Sequence, residues 1–155
     1  MLPDSHLSAL RKLYIRIGNR KIDWALTGST SFALQGIPIK VNDIDVQTNK
    51  KGAYEIQGLF SEYVTQKVSF SSTDAIKSHF GKLCIDGVEV EIMGDIQKKL
   101  ENGEWEPPVD VTRYRKFVNI KGMKIPVLSL EYEYQAYVKL GRIEKAEMLR
   151  RYGKF

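Results

Sequence analysis

Cysteine is nearly absent: Cys84 is alone in 155 residues. A disulfide framework is therefore excluded, and a reducing cytoplasm is the expected location. Histidine is scarce too. His6 and His79 have no neighbours at metal-ligand spacing, so a histidine-built metal centre is not expected. No apolar run approaches the roughly 20 residues of a membrane span, so no membrane partner is expected. The opening "MLPDSHLSALRKLY" lacks a basic segment followed by an apolar run and does not read as a signal peptide. Repeats and low-complexity segments are missing. The charge excess is small, 24 Lys and Arg against 19 Asp and Glu, or +5 net. Such a balance is compatible with polyanionic partners. However, no basic run or interleaved aromatic strip marks a nucleic-acid-binding module, which ranks behind the enzyme readings below.

What is present is the composition of one globular domain over 1–155, with 43% hydrophobic and 28% charged residues. Leu7, Leu10, Leu13, Tyr14 and Ile17 recur at helical spacing and predict a first helix, capped by Asp4 or Ser5 and ending near Gly18. "IDWALT" predicts a buried strand over 22–27, and "GSTSFALQG" a tight turn into a short helix. "VNDIDVQT" predicts a second strand, with Val41, Asp43, Asp45 and Gln47 on one face. A helix is expected over 51–63. Asp86-Gly87 and Lys121-Gly122 predict two hairpin turns. A short helix is expected near Ile96 to Glu101, with Asp95 as its cap, before the loop "NGEWEPPVD". Ser129 is expected to cap a final helical region that Gly141 divides. Early strand–helix alternation followed by hairpins implies an α/β (α+β) fold. It is a small mixed sheet with helices packed on it, a core at about 20–128 and C-terminal helices at about 129–152.

Three features converge on chemistry. Gly28-Ser29 lies between a strand and a helix, where free N–H groups, a close backbone and a hydroxyl suit an anion. Asp43 and Asp45 share a strand face and repel each other unless a cation lies between them. Magnesium is the natural candidate, being a hard ion often shared with phosphates. Glu89 and Glu91 share a face of a hairpin strand that could lie alongside. A phosphate cradle with three carboxylates is what two-metal phosphoryl or nucleotidyl transfer requires.

Gly-Ser, thirteen residues, Asp-Ile-Asp and a later acid in an apolar strand together resemble the nucleotidyltransferase superfamily that includes DNA polymerase beta. Among its members, the small stand-alone prokaryotic enzymes are the most similar. "SLEYEYQAYVKLGRIEKAEMLRR" also resembles their helical tail, so the likeness runs from about Trp24 to Arg151. The resemblance implies that Gly28 and Ser29 hold a nucleoside triphosphate such as ATP. Asp43 and Asp45 would bind two Mg2+ ions, with Mn2+ as an alternative. Glu91 is preferred to Glu89 as third carboxylate because it sits deeper in the apolar strand, although many relatives carry Asp there. Lys139 and Arg142 are candidate phosphate contacts. Lys139, Arg142 and Lys145 read equally well as a solvated face paired with Glu144 and Glu147. The expected reaction moves a nucleoside monophosphate to an unknown acceptor hydroxyl, on a small molecule, a protein or a nucleic-acid end, and releases pyrophosphate. A second subunit or partner protein is expected to complete the acceptor site. The alternative is a catalytically idle nucleotide-binding relative, such as half of a toxin–antitoxin-like pair. Tyr132, Tyr134 and Tyr137 are expected in the core and rim of a packed helix, and Cys84 as a small core residue.

Overall fold

The computed structural model describes residues 2–155. Its strands are β1 (Trp24–Thr27), β2 (Ile44–Thr48), β3 (Val64–Ser72), β4 (Ile76–Ile85), β5 (Val88–Lys98), β6 (Arg115–Ile120) and β7 (Met123–Leu128). Its helices are α1 (Asp4–Ile17), α2 (Gly28–Leu34), α3 (Lys50–Leu59), α4 (Leu130–Lys139) and α5 (Ile143–Tyr152). All seven strands join one mixed sheet in the order β3-β4-β5-β2-β1-β7-β6. β2 runs parallel to β5 and β1 parallel to β7, while the other neighbours are antiparallel.

The two sheet faces differ. Leu26, Ile44, Val46, Val90, Ile92, Ile125 and Val127 point to one side, where Leu10, Leu13 and Ile17 of α1 and Ala53 and Ile56 of α3 bury them. Each such aliphatic side chain contributes about 1.5–3 kcal/mol when fully buried. The other face carries Ala25, Thr27, Asp45, Gln47 and Glu91, which alternate with that core set along the same strands. It is covered only partly, by Val111, Tyr114 and Tyr132 packed around Ala25 and Leu128. A half-covered polar face beside a full apolar core is where a site can form.

Both expected hairpin turns occur, with Asp86, Gly87, Lys121 and Gly122 all at positive φ. Ser129 caps α4 by accepting from the Tyr132 N–H, and Gly141 separates α4 from α5. Other boundaries moved. The first strand starts at Trp24 and the second at Ile44, and the helix after it ends at Leu59 before a short 3-10 turn at Ser61–Tyr63. Neither Asp4 nor Ser5 makes a side-chain cap on α1. Pro3 precedes it, and Asp4 instead lies in the first turn, where the helix dipole favours it. The short helix expected at 96–101, with Asp95 as its cap, does not exist. β5 continues through Lys98, because Gln97 and Lys98 pair with Lys77 and Ile76 of β4. Asp95 sits inside the strand at φ 52, where the β4–β5 register shifts between Lys77 and His79. It is a bulge, and the extra residue reverses the sides to which the following side chains point.

Candidate functional site

The register brings the predicted acids together. Asp45 lies opposite Glu91 in the parallel β2–β5 ladder, and Asp43 immediately precedes β2. Carboxylate oxygens of Asp43, Glu89 and Glu91 all lie within 4.8 Å of one another. Four acids thus meet at the start of two adjacent strands. The cost shows in their protonation. Burial pushes Asp45 up to about 7, with the Glu91 charge and a hydrogen bond to Glu91 adding to it. Asp43 is also raised, by burial first and then by a hydrogen bond with Glu89 and the charges of Glu89 and Glu91.

One cation opposes this crowd. Lys82 lies across the ladder from Glu91, its Nζ 3.5 Å from Glu89 Oε1, and it draws the Asp43 carboxyl down. A single ammonium against four carboxylates leaves a strong demand for a dication. The donor set is all hard oxygen, which fits Mg2+ or Mn2+ and not a soft metal. Cys84 does not alter this. It is exposed, opposite Glu89, and not the core residue expected from its apolar neighbours, because its side chain falls on the half-covered face.

Gly28 has two reasons to be glycine. Its φ is 73, and a methyl group there would overlap Asp45 Oδ2. The backbone therefore touches the acid cluster directly. Ser29 Oγ accepts from the Asn42 N–H at 2.9 Å, and Thr30 Oγ1 donates to the Asp43 carbonyl at 2.9 Å. These two bonds fasten the start of α2 to the segment that carries Asp43. Among the described residues the Ser29 hydroxyl accepts the Asn42 bond and donates none.

Glu133 of α4 is a further member of this face. It is 4% exposed and accepts a hydrogen bond from the Thr27 hydroxyl, and Thr27 lies opposite Asp45 in the ladder. Burial pushes Glu133 up to about 7, against the Thr27 bond and the charges of Lys98 and Lys145. Tyr137 packs edge-on to Phe32 of α2, with the Lys145 ammonium over its ring at 5.5 Å. Tyr132 stacks on Tyr114 at 4.2 Å and Tyr134 packs on Phe155, so the three tyrosines serve packing as expected. The tail cations are dispersed. Lys139 pairs with Glu106 at 2.9 Å, not with Glu144 or Glu147, and Arg142 precedes α5, its N–H donating to the Tyr137 carbonyl. Neither is among the groups that meet at the acid cluster.

Glu89, Lys82 and Glu133 are the site residues that sequence alone did not select. Glu89 was visible as the runner-up to Glu91. Lys82 is found only once the hairpin register is known. Glu133 carries no local sequence signal, since its partner Thr27 is 106 residues away.

The model of the aminoglycoside-2″-adenylyltransferase family matches residues 9–150. The chain belongs to that family. A crystal structure from Thermotoga maritima, provisionally described as a nucleotidyltransferase, shares 63% identity over 97% of this chain and 94% of its own, with a TM-score of 0.88. Distant structures share the fold. ANT(2″)-Ia in complex with adenylyl-2″-tobramycin is 12% identical, with a TM-score of 0.59 over 94% of this chain and 87% of its own. A lincomycin-bound lincosamide antibiotic adenylyltransferase is 15% identical, with a TM-score of 0.57 over 96% and 97%. No curated protein sequence matches the chain. For a member of this adenylyltransferase family, nucleotidyl transfer is the general activity, and the acids of β2 and β5 are the natural place to look for it.

Proposed function

We propose that the chain transfers a nucleoside monophosphate from a nucleoside triphosphate to a hydroxyl of a small molecule. The observation that carries this reading is the meeting of Asp43, Asp45, Glu89 and Glu91 against the backbone of Gly28. Two Mg2+ ions held by Asp43, Asp45 and Glu91 would neutralise the phosphates and stabilise the attacking and leaving oxygens. The chain's own groups do the rest. Gly28 lets the triphosphate approach the start of α2, and Ser29 offers it a hydroxyl donor. Glu91 takes the proton of the acceptor hydroxyl. The new bond joins the acceptor oxygen to the α-phosphorus, and the bond from that phosphorus to the bridging oxygen breaks as pyrophosphate leaves. Arg142, beside Tyr137, is assigned to the departing phosphates, and Lys139 joins it only by exchanging its Glu106 partner. A small-molecule acceptor is favoured because the structural neighbours that hold an acceptor or its product hold antibiotics.

Incubation with each labelled nucleoside triphosphate, Mg2+ and a fractionated small-molecule extract tests the reading. A labelled product that depends on Mg2+ and vanishes in Asp43→Asn is expected. Equal labelling by wild type and Asp43→Asn would sink the proposal. Metal-dependent nucleotide binding without pyrophosphate release on any acceptor would favour the idle relative.

A further inference from the structure

A second charged place lies at the far end of β5. Lys98 is 7% exposed, and the Asp95 bulge turns it onto the same sheet face as Glu91. It opens on a cavity of about 270 Å³ between the proline-bearing loop and α4, whose walls include Pro107, Pro108, Tyr114, Tyr132 and Gln135. An ammonium has three protons to donate. Lys98 Nζ gives one to the Tyr132 hydroxyl at 3.1 Å and rests over the Tyr132 ring at 5.4 Å. No carboxylate of the described residues comes within 4.0 Å of it. Glu106 and Asp110 also line the cavity, but these acids and the nearby Glu133 are engaged elsewhere. Glu106 holds Lys139, Asp110 takes both the N–H and the hydroxyl of Thr112, and Glu133 turns to Thr27. Burial draws the Lys98 ammonium down from its ordinary value, and Lys139 adds a like charge, while the more distant charges of Glu106 and Glu133 act against both.

A buried ammonium with donors to spare at the wall of a cavity, and no carboxylate among the described residues in direct contact, is costly unless something arrives to match it. We propose that this cavity binds a small anion, a carboxylate or phosphoryl group carried on a flat apolar body, with Lys98 as the contact for the charge. The head group follows from the spare donors of Lys98, with Arg113 at the rim as a second cation. The flat body follows from the prolines and the stacked Tyr114–Tyr132 pair, whose planes lie 23° apart. The site is distinct from the acid cluster, to which none of its residues belongs, and it shares with the proposed nucleotidyl transfer only Lys139 at its wall.

Benzoate and phenyl phosphate are the probes, with inorganic phosphate as the head-group control, in calorimetric titrations of the metal-free full chain. Binding of at least one aromatic probe, tighter than inorganic phosphate, is expected. Lys98→Met should weaken it by about tenfold or more, and Asp43→Asn should change it less than about twofold. Which probe binds distinguishes a carboxylate ligand from a phosphoryl one, and either result supports the site. Binding of neither, or equal binding by Lys98→Met, overturns it. Displacement of the bound probe by ATP without metal also overturns it, since the cavity would then belong to the nucleotide. If Lys98→Met does not fold, lysine labelled at Cε in the wild type gives the same answer. The Lys98 resonance should move on titration, and an unmoved resonance at probe saturation overturns the site.

Discussion

The two ends of β5 are electrostatic opposites. At its start, Glu89 and Glu91 join Asp43 and Asp45 with one lysine among them. At its end, Lys98 is buried with no carboxylate of the described residues in contact. Surface charges in this chain are matched conventionally, as Lys12 with Asp86 and Arg16 with Glu62. The contrast teaches that charge imbalance here is local and confined to the half-covered face. Such imbalance opposes folding, so its presence at both ends of one strand points to ligands of opposite sign.

The largest expected effect comes from removing the acids. Asp43→Asn should lower nucleotidyl transfer by about 1000-fold or more while the fold persists, since a metal-bound charge is worth several kcal/mol in the transition state. Glu91→Gln and Glu89→Gln sharpen the point. The former should cost far more turnover than the latter, and the reverse order would reassign the third carboxylate. Both are read from initial rates at saturating Mg2+.

Gly28→Ala comes next. The added methyl must displace the Asp45 carboxylate and accept a φ of 73. A loss of about 100-fold in activity and about 1–3 kcal/mol in stability is expected. Thermal melts with and without Mg2+ separate the two. A variant with normal rates would break the link between the turn and the acids.

A third expectation concerns pH. Asp45 and Glu133 are raised to about 7, so the folded chain binds more protons there than the unfolded chain does. Their stabilising contribution is present in acid and is lost as pH rises through about 4 to 7. Without metal, Asp45→Asn should therefore become increasingly more stable than wild type between pH 5 and pH 8, by about 1–3 kcal/mol at the upper end. Mg2+ should narrow that gap. A gap independent of pH would show that Asp45 is not raised.

The smallest effect is expected at Lys82. Lys82→Met removes the one cation that pairs with these acids among the described residues, so apparent Mg2+ affinity should rise about two- to fivefold, as expected for a partly exposed charge. Weaker Mg2+ binding would instead make Lys82 a phosphate contact.

Much of the site was legible because its parts are local. Gly28-Ser29 is a strand-to-helix turn, and Asp43, Asp45 and Glu91 follow from period-2 alternation. What was hidden depended on register. Lys82 faces Glu91 only because β4 pairs with β5 as it does, and Glu133 reaches Thr27 across 106 residues of chain. β3 went unread because it is an edge strand with mostly exposed residues and no apolar alternation. The helix cap expected at Asp95 is a strand bulge. Gly94 instead packs against Asn49 and Ala53 of the α3 region, and the strand runs on.

The bulge at Asp95 works as a phase shifter in a strand that would otherwise alternate without interruption. Upstream of it, odd-numbered residues face the cleft, and downstream even-numbered ones do. Excising that single residue would restore the original parity. Glu91 would stay where it is, while Lys98 would rotate to the opposite side of the sheet. A one-codon deletion would thus silence one end of β5 and leave the other intact.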